Sequence, residues 1–140
     1  MASDLDRLRG LRILVVEDTF MLADELNEFL VELGCETVGP AARAGEAAEL
    51  AGTTPLDDAL LDVNLSRGET SFPVAADLAD RHVPFVFITG YDFDSSFPVE
   101  FQGTPRISKP LDLGELVRMM LRHFAPPPPG SASAGANGGS

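Results

Sequence analysis

The feature that most constrains this chain is an apolar run of seven residues, Ala59 to Leu65, which contains a single carboxylate at Asp62. A short apolar run is typical of a strand in a parallel sheet that is buried on both faces. An aspartate that ends such a strand lies at its carboxyl end, where open α/β sheets place their functional groups. Taken alone, Asp62 is better explained as a cap for the next turn. The role of Asp62 therefore depends on which side chains the other strands place at the same edge of the sheet.

The rest of the chain alternates between strand and helix patterns. Further strands are predicted at 12–16, 37–39, 84–88 and 106–108, and helices at about 22–33, 44–51, 72–82 and 113–124. Pro40 is expected to end the second strand, and Ser71 to cap the third helix. Residues 92–104 occupy the place of a further helix, but Pro98 and Gly103 interrupt the pattern, so we expect a short or irregular, mobile connection. This alternation predicts an α/β fold, a doubly wound parallel sheet covered on both faces.

The 140 residues are enough for one domain, predicted at 11–124, after a polar lead-in at 1–10 and before a disordered Pro/Gly/Ser-rich tail at 125–140. The formal net charge of −12 opposes nonspecific binding to nucleic acid or anionic lipid. No apolar run is long enough for a membrane span and no signal-peptide core is present, so we expect a cytosolic protein. The single cysteine, Cys35, is expected to be a packing residue.

Polar side chains follow the predicted strands at the same edge of the sheet. Glu17 and Asp18 follow the first strand, Asp62 the third, Thr89 the fourth and Lys109 the fifth. Clustered carboxylates repel one another and raise each other's pKa unless a cation joins them. A site with a few carboxylates and open positions suits Mg²⁺. The sequence therefore predicts a magnesium site with Lys109 as a second cation.

The predicted magnesium site has fewer protein ligands than the cation can bind, and this leaves room for an anion such as a phosphoryl group. Its oxygens would be bound by Mg²⁺, Lys109, the Thr89 hydroxyl and backbone N–H groups after Asp62. Attack by Asp62 on phosphorus would then form an aspartyl phosphate, the covalent route open to a carboxylate. Each residue has a simpler explanation as a cap, turn or strand-end residue, but their shared position at strand ends favours a common site.

Four motifs carry a resemblance to a known family: V-V-E-D-T at 15–19, L-L-D-V-N-L at 60–65, F-I-T-G-Y at 87–91 and S-K-P at 108–110. With these motifs, residues 11–124 resemble the receiver domain of bacterial two-component response regulators. The resemblance implies a flavodoxin-like (βα)5 fold with strand order 2-1-3-4-5. It implies that Asp62 is the phosphoacceptor, that Asp18 binds Mg²⁺ directly, and that Glu17 acts through a metal-bound water. The carbonyl oxygen of Asn64 would complete the metal ligands.

The resemblance also implies a switch, in which Thr89 supplies the hydroxyl and Lys109 pairs with the phosphoryl group. Receivers usually carry Tyr or Phe three residues before the lysine, whereas this chain has Arg106. This departure and the F-I-T-G-Y motif are similar to the FATGUY subgroup, often partnered with histidine kinases of the HWE type. There Tyr91 takes over part of the switch role. The nearby aromatic residues are expected to cover the core, with a docking patch as the alternative: Tyr91, Phe93, Phe97 and Phe101.

We expect a stand-alone regulator, because the chain after Phe124 is too poor in apolar residues to build an output domain. It would take its phosphoryl group from a histidine kinase or phosphotransfer protein, as a monomer or weak dimer, and signal by docking to a partner or act as a phosphate sink or relay. It would not be an enzyme. Two alternatives are a phosphatase of the haloacid-dehalogenase type, whose D-x-D-x-T motif differs from V-E-D-T here, and a receiver fold used as a phosphorylation-independent binding module.

Overall fold

The computed structural model describes residues 4–90 and 97–125 as a parallel sheet between two layers of helices. The strands are β1 Arg12–Val16, β2 Glu36–Ala41, β3 Asp58–Asp62, β4 Phe85–Thr89 and β5 Arg106–Ser108. The helices are α1 Phe20–Glu32, α2 Ala44–Thr53, α3 Phe72–Asp80 and α4 Leu113–His123. The strand order is β2-β1-β3-β4-β5, which confirms the predicted flavodoxin-like fold. Within the described ranges, every helix falls short of what a bilayer crossing requires.

The two faces of the sheet carry separate hydrophobic cores. Leu61 and Phe87 pack on the side of α2 and α3, whereas Leu60 and Val86 pack on the side of α1 and α4. Every residue of β3 is buried, and this strand pairs in parallel with both β1 and β4. The apolar approach to Asp62 therefore places β3 in the centre of the sheet, with the carboxylate at its carboxyl end.

Two local predictions are wrong. Pro40 does not end the second strand, which continues to Ala41. This is possible because β2 is an edge strand, where a residue without an N–H can face away from the ladder. Ser71 precedes α3, but its hydroxyl makes no capping hydrogen bond. Its backbone lies at φ −88° and ψ 4°, outside the extended conformation that aims a capping side chain at the first turn.

The segment expected to be a polar lead-in packs onto the domain. A short 3₁₀ helix covers Asp4–Leu8, and Leu8 is fully buried in the core that it shares with α1 and α4. Its carbonyl oxygen lies 3.3 Å from the thiol sulfur of the buried Cys35. Burial, and then the nearby Asp58, raise the pKa of Cys35 to about 11, so this thiol stays protonated. Cys35 is a packing residue, as the sequence predicts.

A cluster of aromatic rings fills the core beside the connection between β4 and β5. Neighbouring ring centroids lie 5.2 to 5.9 Å apart in this cluster, which consists of Phe72, Phe85, Phe87, Phe97 and Phe101. In the described part of the connection, residues 97–104, a 3₁₀ turn at Val99–Phe101 stands in place of a longer helix. Phe97 and Phe101 are buried and cover the core, which argues against a docking patch there. Tyr91 and Phe93 lie outside the described residues.

Candidate functional site

Four strands bring polar side chains to the carboxyl edge of the sheet. Glu17 and Asp18 follow β1, Asp62 ends β3, Thr89 ends β4, and Lys109 follows β5. The backbone N–H of Lys109 donates to the carbonyl oxygen of Thr89 at 2.8 Å, which extends the pairing of β4 with β5 up to the site. Because all five strands run in parallel, these side chains share one edge, as the sequence predicts.

Three carboxylates form the centre of this site. One oxygen from each of Glu17, Asp18 and Asp62 lies within 4.8 Å of the others, an arrangement that could hold a metal ion. Glu17 and Asp62 are only 2% and 3% exposed, whereas Asp18 is half-buried. Glu17 follows β1 and Asp62 ends the neighbouring central strand β3, and Asp18 is the carboxylate most exposed to solvent.

Lys109 pairs with both buried carboxylates. Its Nζ lies 3.2 Å from Asp62 Oδ2 and 3.6 Å from Glu17 Oε1. Glu17 Oε2 accepts a hydrogen bond from the backbone N–H of Thr19 at 3.1 Å, but Glu17 Oε1 is buried without a hydrogen-bond partner among the described residues. One ammonium group thus faces three carboxylates, which leaves an excess of negative charge in a largely desolvated site.

The electrostatics of Asp62 follow from this arrangement. Burial raises the pKa of the Asp62 carboxyl, the neighbouring Glu17 raises it further, and Lys109 acts in the opposite direction. A second cation would favour the charged form of the carboxylates. Three carboxylates, one of which has a buried oxygen (Glu17 Oε1) that makes no hydrogen bond among the described residues, are ligands that a hard divalent cation prefers, and they fit Mg²⁺.

The loop after β3 carries the remaining predicted ligand. Asn64 is exposed there and pairs with Thr70 in an antiparallel bridge. This loop also contains a contact that the sequence analysis missed, in which the Ser66 hydroxyl donates to Asp18 Oδ2 at 2.7 Å. The sequence signal was a hydroxyl four residues after Asp62, which is too common in polar loops to be singled out.

The structure describes two of the three predicted switch residues, Thr89 and Arg106. Thr89 is buried at the end of β4, while Tyr91 lies outside the described residues. Arg106 is directed away from the carboxylates: its guanidinium carbon lies 3.8 Å from the ring centroid of Phe97. The same side chain donates to the carbonyl oxygens of Gln102 at 2.7 Å and Phe101 at 3.3 Å. Arg106 therefore holds residues 97–102 against β5.

Comparisons with known proteins agree with this description, although no family model matches the chain. The solution structure of SdrG from Sphingomonas melonis Fr1 is similar with a TM-score of 0.69 and 36% identity, over 84% of this chain and 94% of that one. The receiver domain of the sensor histidine kinase PA1611 from Pseudomonas aeruginosa PAO1 has a TM-score of 0.71 at 23% identity, over 82% of this chain and 98% of that one. Its structure has magnesium coordinated in the active site cleft.

A curated relative extends the comparison. The transcriptional regulatory protein PdtaR of Mycobacterium tuberculosis is 32% identical over 90 residues, which are 64% of this chain. The chain spans 43% of the length of PdtaR, less than half of it. The fold, the strand order and the similarity to SdrG over most of both chains define the class: the protein belongs to the response regulator receiver domains. Its relatives are signalling regulators of two-component systems.

Proposed function

We propose that this chain accepts a phosphoryl group from a histidine kinase onto Asp62 in a reaction that requires Mg²⁺. The observation that carries the proposal is the position of Asp62, which ends the central strand within 4.8 Å of two other carboxylates and 3.2 Å from Lys109. The phosphorylated form then signals by docking to a partner protein, or serves as a sink or relay for phosphoryl groups. The proposed donor is a kinase of the HWE type.

Each residue of the site has a proposed role in the transfer of the phosphoryl group. A carboxylate oxygen of Asp62 forms a bond to phosphorus while the phosphorus–nitrogen bond to the donor histidine breaks, and the released imidazole takes up a proton. Lys109 pairs with the phosphoryl oxygens as the charge of the attacking carboxylate is lost. The Thr89 hydroxyl donates to one of these oxygens. Next to Thr89, a Cβ on Gly90 would meet no atom of the described residues within 4 Å, so these residues leave open space beside the site.

Mg²⁺ would be held by Glu17, Asp18, Asp62 and the Asn64 carbonyl oxygen, and would supply charge neutralisation for the phosphoryl oxygens. The excess of negative charge supports this assignment, and so does Glu17 Oε1, which has the 3.6 Å ion pair with Lys109 but no hydrogen bond among the described residues. The magnesium ion in the PA1611 receiver domain supports it as well, because that domain has the same fold.

Incubation with acetyl phosphate tests the proposed function. In the presence of Mg²⁺ the wild-type protein should gain about 80 Da, the mass of one phosphoryl unit replacing a proton, in intact-mass spectrometry. EDTA should prevent this gain in mass, because it removes the Mg²⁺ that would otherwise offset the repulsion among the three carboxylates. Steady release of phosphate from a phosphate ester without an adduct would instead support the phosphatase alternative. If the protein binds its partner with the same affinity with and without the adduct, the alternative of a phosphorylation-independent binding module would be supported.

We further propose that Thr89, Tyr91 and Arg106 form the switch that reports the phosphoryl group. Thr89 and Lys109 lie at the phosphoryl site, and Arg106 lies three residues before Lys109 on β5. The guanidinium of Arg106 joins β5 to the Phe97–Gln102 segment through two hydrogen bonds and a stacking contact. A movement at the end of β5 would therefore also displace the Phe97–Gln102 segment, because Arg106 is hydrogen-bonded to it.

Replacement of Arg106 by alanine should uncouple that segment from the site. We expect phosphorylation of the wild type to shift the backbone amide NMR signals of residues 97–104, and the shifts to be lost in Arg106→Ala while the adduct still forms. The exposed Arg122 on α4 provides a control, Arg122→Ala, that should behave as the wild type. Equal shifts in Arg106→Ala and the wild type would remove Arg106 from the switch.

A further inference from the structure

The loop after β3, residues 64–70, is a closed turn that borders the metal-binding carboxylates. Asn64 and Thr70 pair across its base. Within the loop, the N–H of Leu65 donates to the carbonyl oxygen of Glu69 at 2.8 Å, and the N–H of Glu69 donates to that of Ser66 at 3.2 Å. The loop therefore has a defined shape, and the positions of Ser66 and Glu69 depend on each other.

One side of this loop contacts the predicted metal ligand. The Ser66 hydroxyl donates to Asp18 Oδ2 at 2.7 Å, a short distance typical of a hydrogen bond to a charged acceptor. Asp18 is the least buried of the three carboxylates, so burial restricts the orientation of its side chain least. A carboxylate has two oxygens, and one can accept from a hydroxyl while the other binds a cation.

The other side of the loop is tied to the start of α2. Glu69 accepts from Arg43 Nη2 at 2.7 Å and Nε at 3.3 Å, and from the backbone N–H of Ala44 at 3.1 Å. This combines a bidentate ion pair with a carboxylate bound at a helix N-terminus. The hydrogen bond from Arg43, and then that from Ala44, lower the pKa of Glu69 to about 2. The carboxylate thus remains charged, and the ion pair intact, throughout the neutral range.

We propose that Ser66 is a positioning residue for Asp18, and that the Arg43–Glu69 ion pair holds Ser66 in place. This inference rests on the proposed function, in which Asp18 binds Mg²⁺. Groups that orient a metal ligand through a hydrogen bond contribute to metal affinity although they do not touch the ion. The same loop carries Asn64, whose carbonyl oxygen is the other ligand proposed for this side of the site. One anchored loop therefore positions two of the ligands.

Magnesium titration of the free protein, without a phosphodonor, tests this role. Removal of the hydroxyl in Ser66→Ala should raise the Mg²⁺ dissociation constant about tenfold, the low end of the range for such contacts, because Ser66 is exposed. Ser66→Thr retains the hydroxyl and should restore most of the affinity. As a control, Thr53→Ala removes another exposed hydroxyl, which donates to the backbone carbonyl oxygen of Glu49 in α2. This variant should leave the Mg²⁺ dissociation constant unchanged.

The anchor is tested by Glu69→Gln, which removes the charge that pairs with Arg43. It should also raise the dissociation constant, and in the double variant with Ser66→Ala the combined effect should be smaller than the product of the two single effects, because the anchor acts in part through the Ser66–Asp18 hydrogen bond. Thermal unfolding of each variant separates a general loss of stability from a change at the site. Affinity that is unchanged or tighter in Ser66→Ala overturns the inference. Absence of Mg²⁺ binding by the wild type overturns the proposed function itself.

Discussion

Replacement of Asp62 by asparagine is expected to abolish the phosphoryl adduct completely. Asparagine has nearly the same shape, but its amide is a poor nucleophile and offers one carbonyl oxygen in place of a carboxylate. The protein should fold normally, because the change removes a buried charge that Glu17 already disfavours. Intact-mass spectrometry after incubation with acetyl phosphate and Mg²⁺ measures the effect directly, as the gain of about 80 Da in the wild type is absent from the variant.

An exposed carboxylate provides the matched control. Asp80, the last residue of α3, is exposed, and Asp80→Asn should gain the same mass as the wild type at the same rate. Circular dichroism of Asp62→Asn should match that of the wild type. Absence of the adduct then reflects loss of the nucleophile and not unfolding. An adduct of equal yield in Asp62→Asn would show that another residue carries the phosphoryl group.

The second large effect, a change in stability, is expected at Asp58, at the opposite end of β3 from Asp62. This side chain is 2% exposed, and its Oδ2 has no hydrogen-bond partner among the described residues. Burial, and then the neighbouring charge of Asp57, raise the pKa of Asp58 to about 7. The buried Cys35 also faces it, but that thiol is protonated at neutral pH and adds no charge.

The raised pKa makes stability depend on pH with a definite sign. Between the ordinary pKa of 3.8 and the folded value of about 7, the folded protein keeps a proton on Asp58 that the unfolded chain has lost. The folded state then binds more protons, so the free energy of unfolding falls as the pH rises through this interval and is level above it. Asp58→Asn cannot ionise and should be about 2 kcal/mol more stable than the wild type at pH 8, after allowance for solvent screening.

Denaturant unfolding at pH 4.5 and pH 8 in EDTA checks this prediction. The gain in stability of Asp58→Asn over the wild type should be small at the lower pH, where Asp58 is protonated, and largest at the higher pH. Asp62 titrates in the same direction in both proteins, so the difference between them isolates Asp58. Asp57→Asn, at an exposed neighbour, should raise stability less. Parallel pH profiles for the wild type and Asp58→Asn would contradict the prediction.

The sequence predicts the fold well because its strongest signals are local. The bounds of β1 and β5 agree with the prediction to the residue, and Gly34 ends α1 with a φ of +89°. The shared position of the predicted site residues follows from the parallel sheet, since strands that end at one edge bring their last residues together. The three-residue spacing of Asp112 and Glu115 is typical of a helix N-terminus, and the Asp112 side chain at the start of α4 accepts from the backbone N–H of Glu115.

Features that depend on contacts between distant segments could not be predicted. The hydrogen bond between Ser66 and Asp18 joins residues 48 positions apart, and the ion pair between Arg43 and Glu69 joins residues 26 positions apart. No local pattern encodes either contact. The continuation of β2 through Pro40 depends on its place at the sheet edge, which is a property of the whole topology.

The location of the phosphoryl group is the most direct test of the central claim. Reduction with borohydride converts an aspartyl phosphate into homoserine, which peptide sequencing by mass spectrometry then places in the chain. We expect homoserine at position 62 in protein treated with acetyl phosphate and Mg²⁺, and aspartate at that position in untreated protein. Homoserine at any other position, or an adduct that resists borohydride, would contradict it.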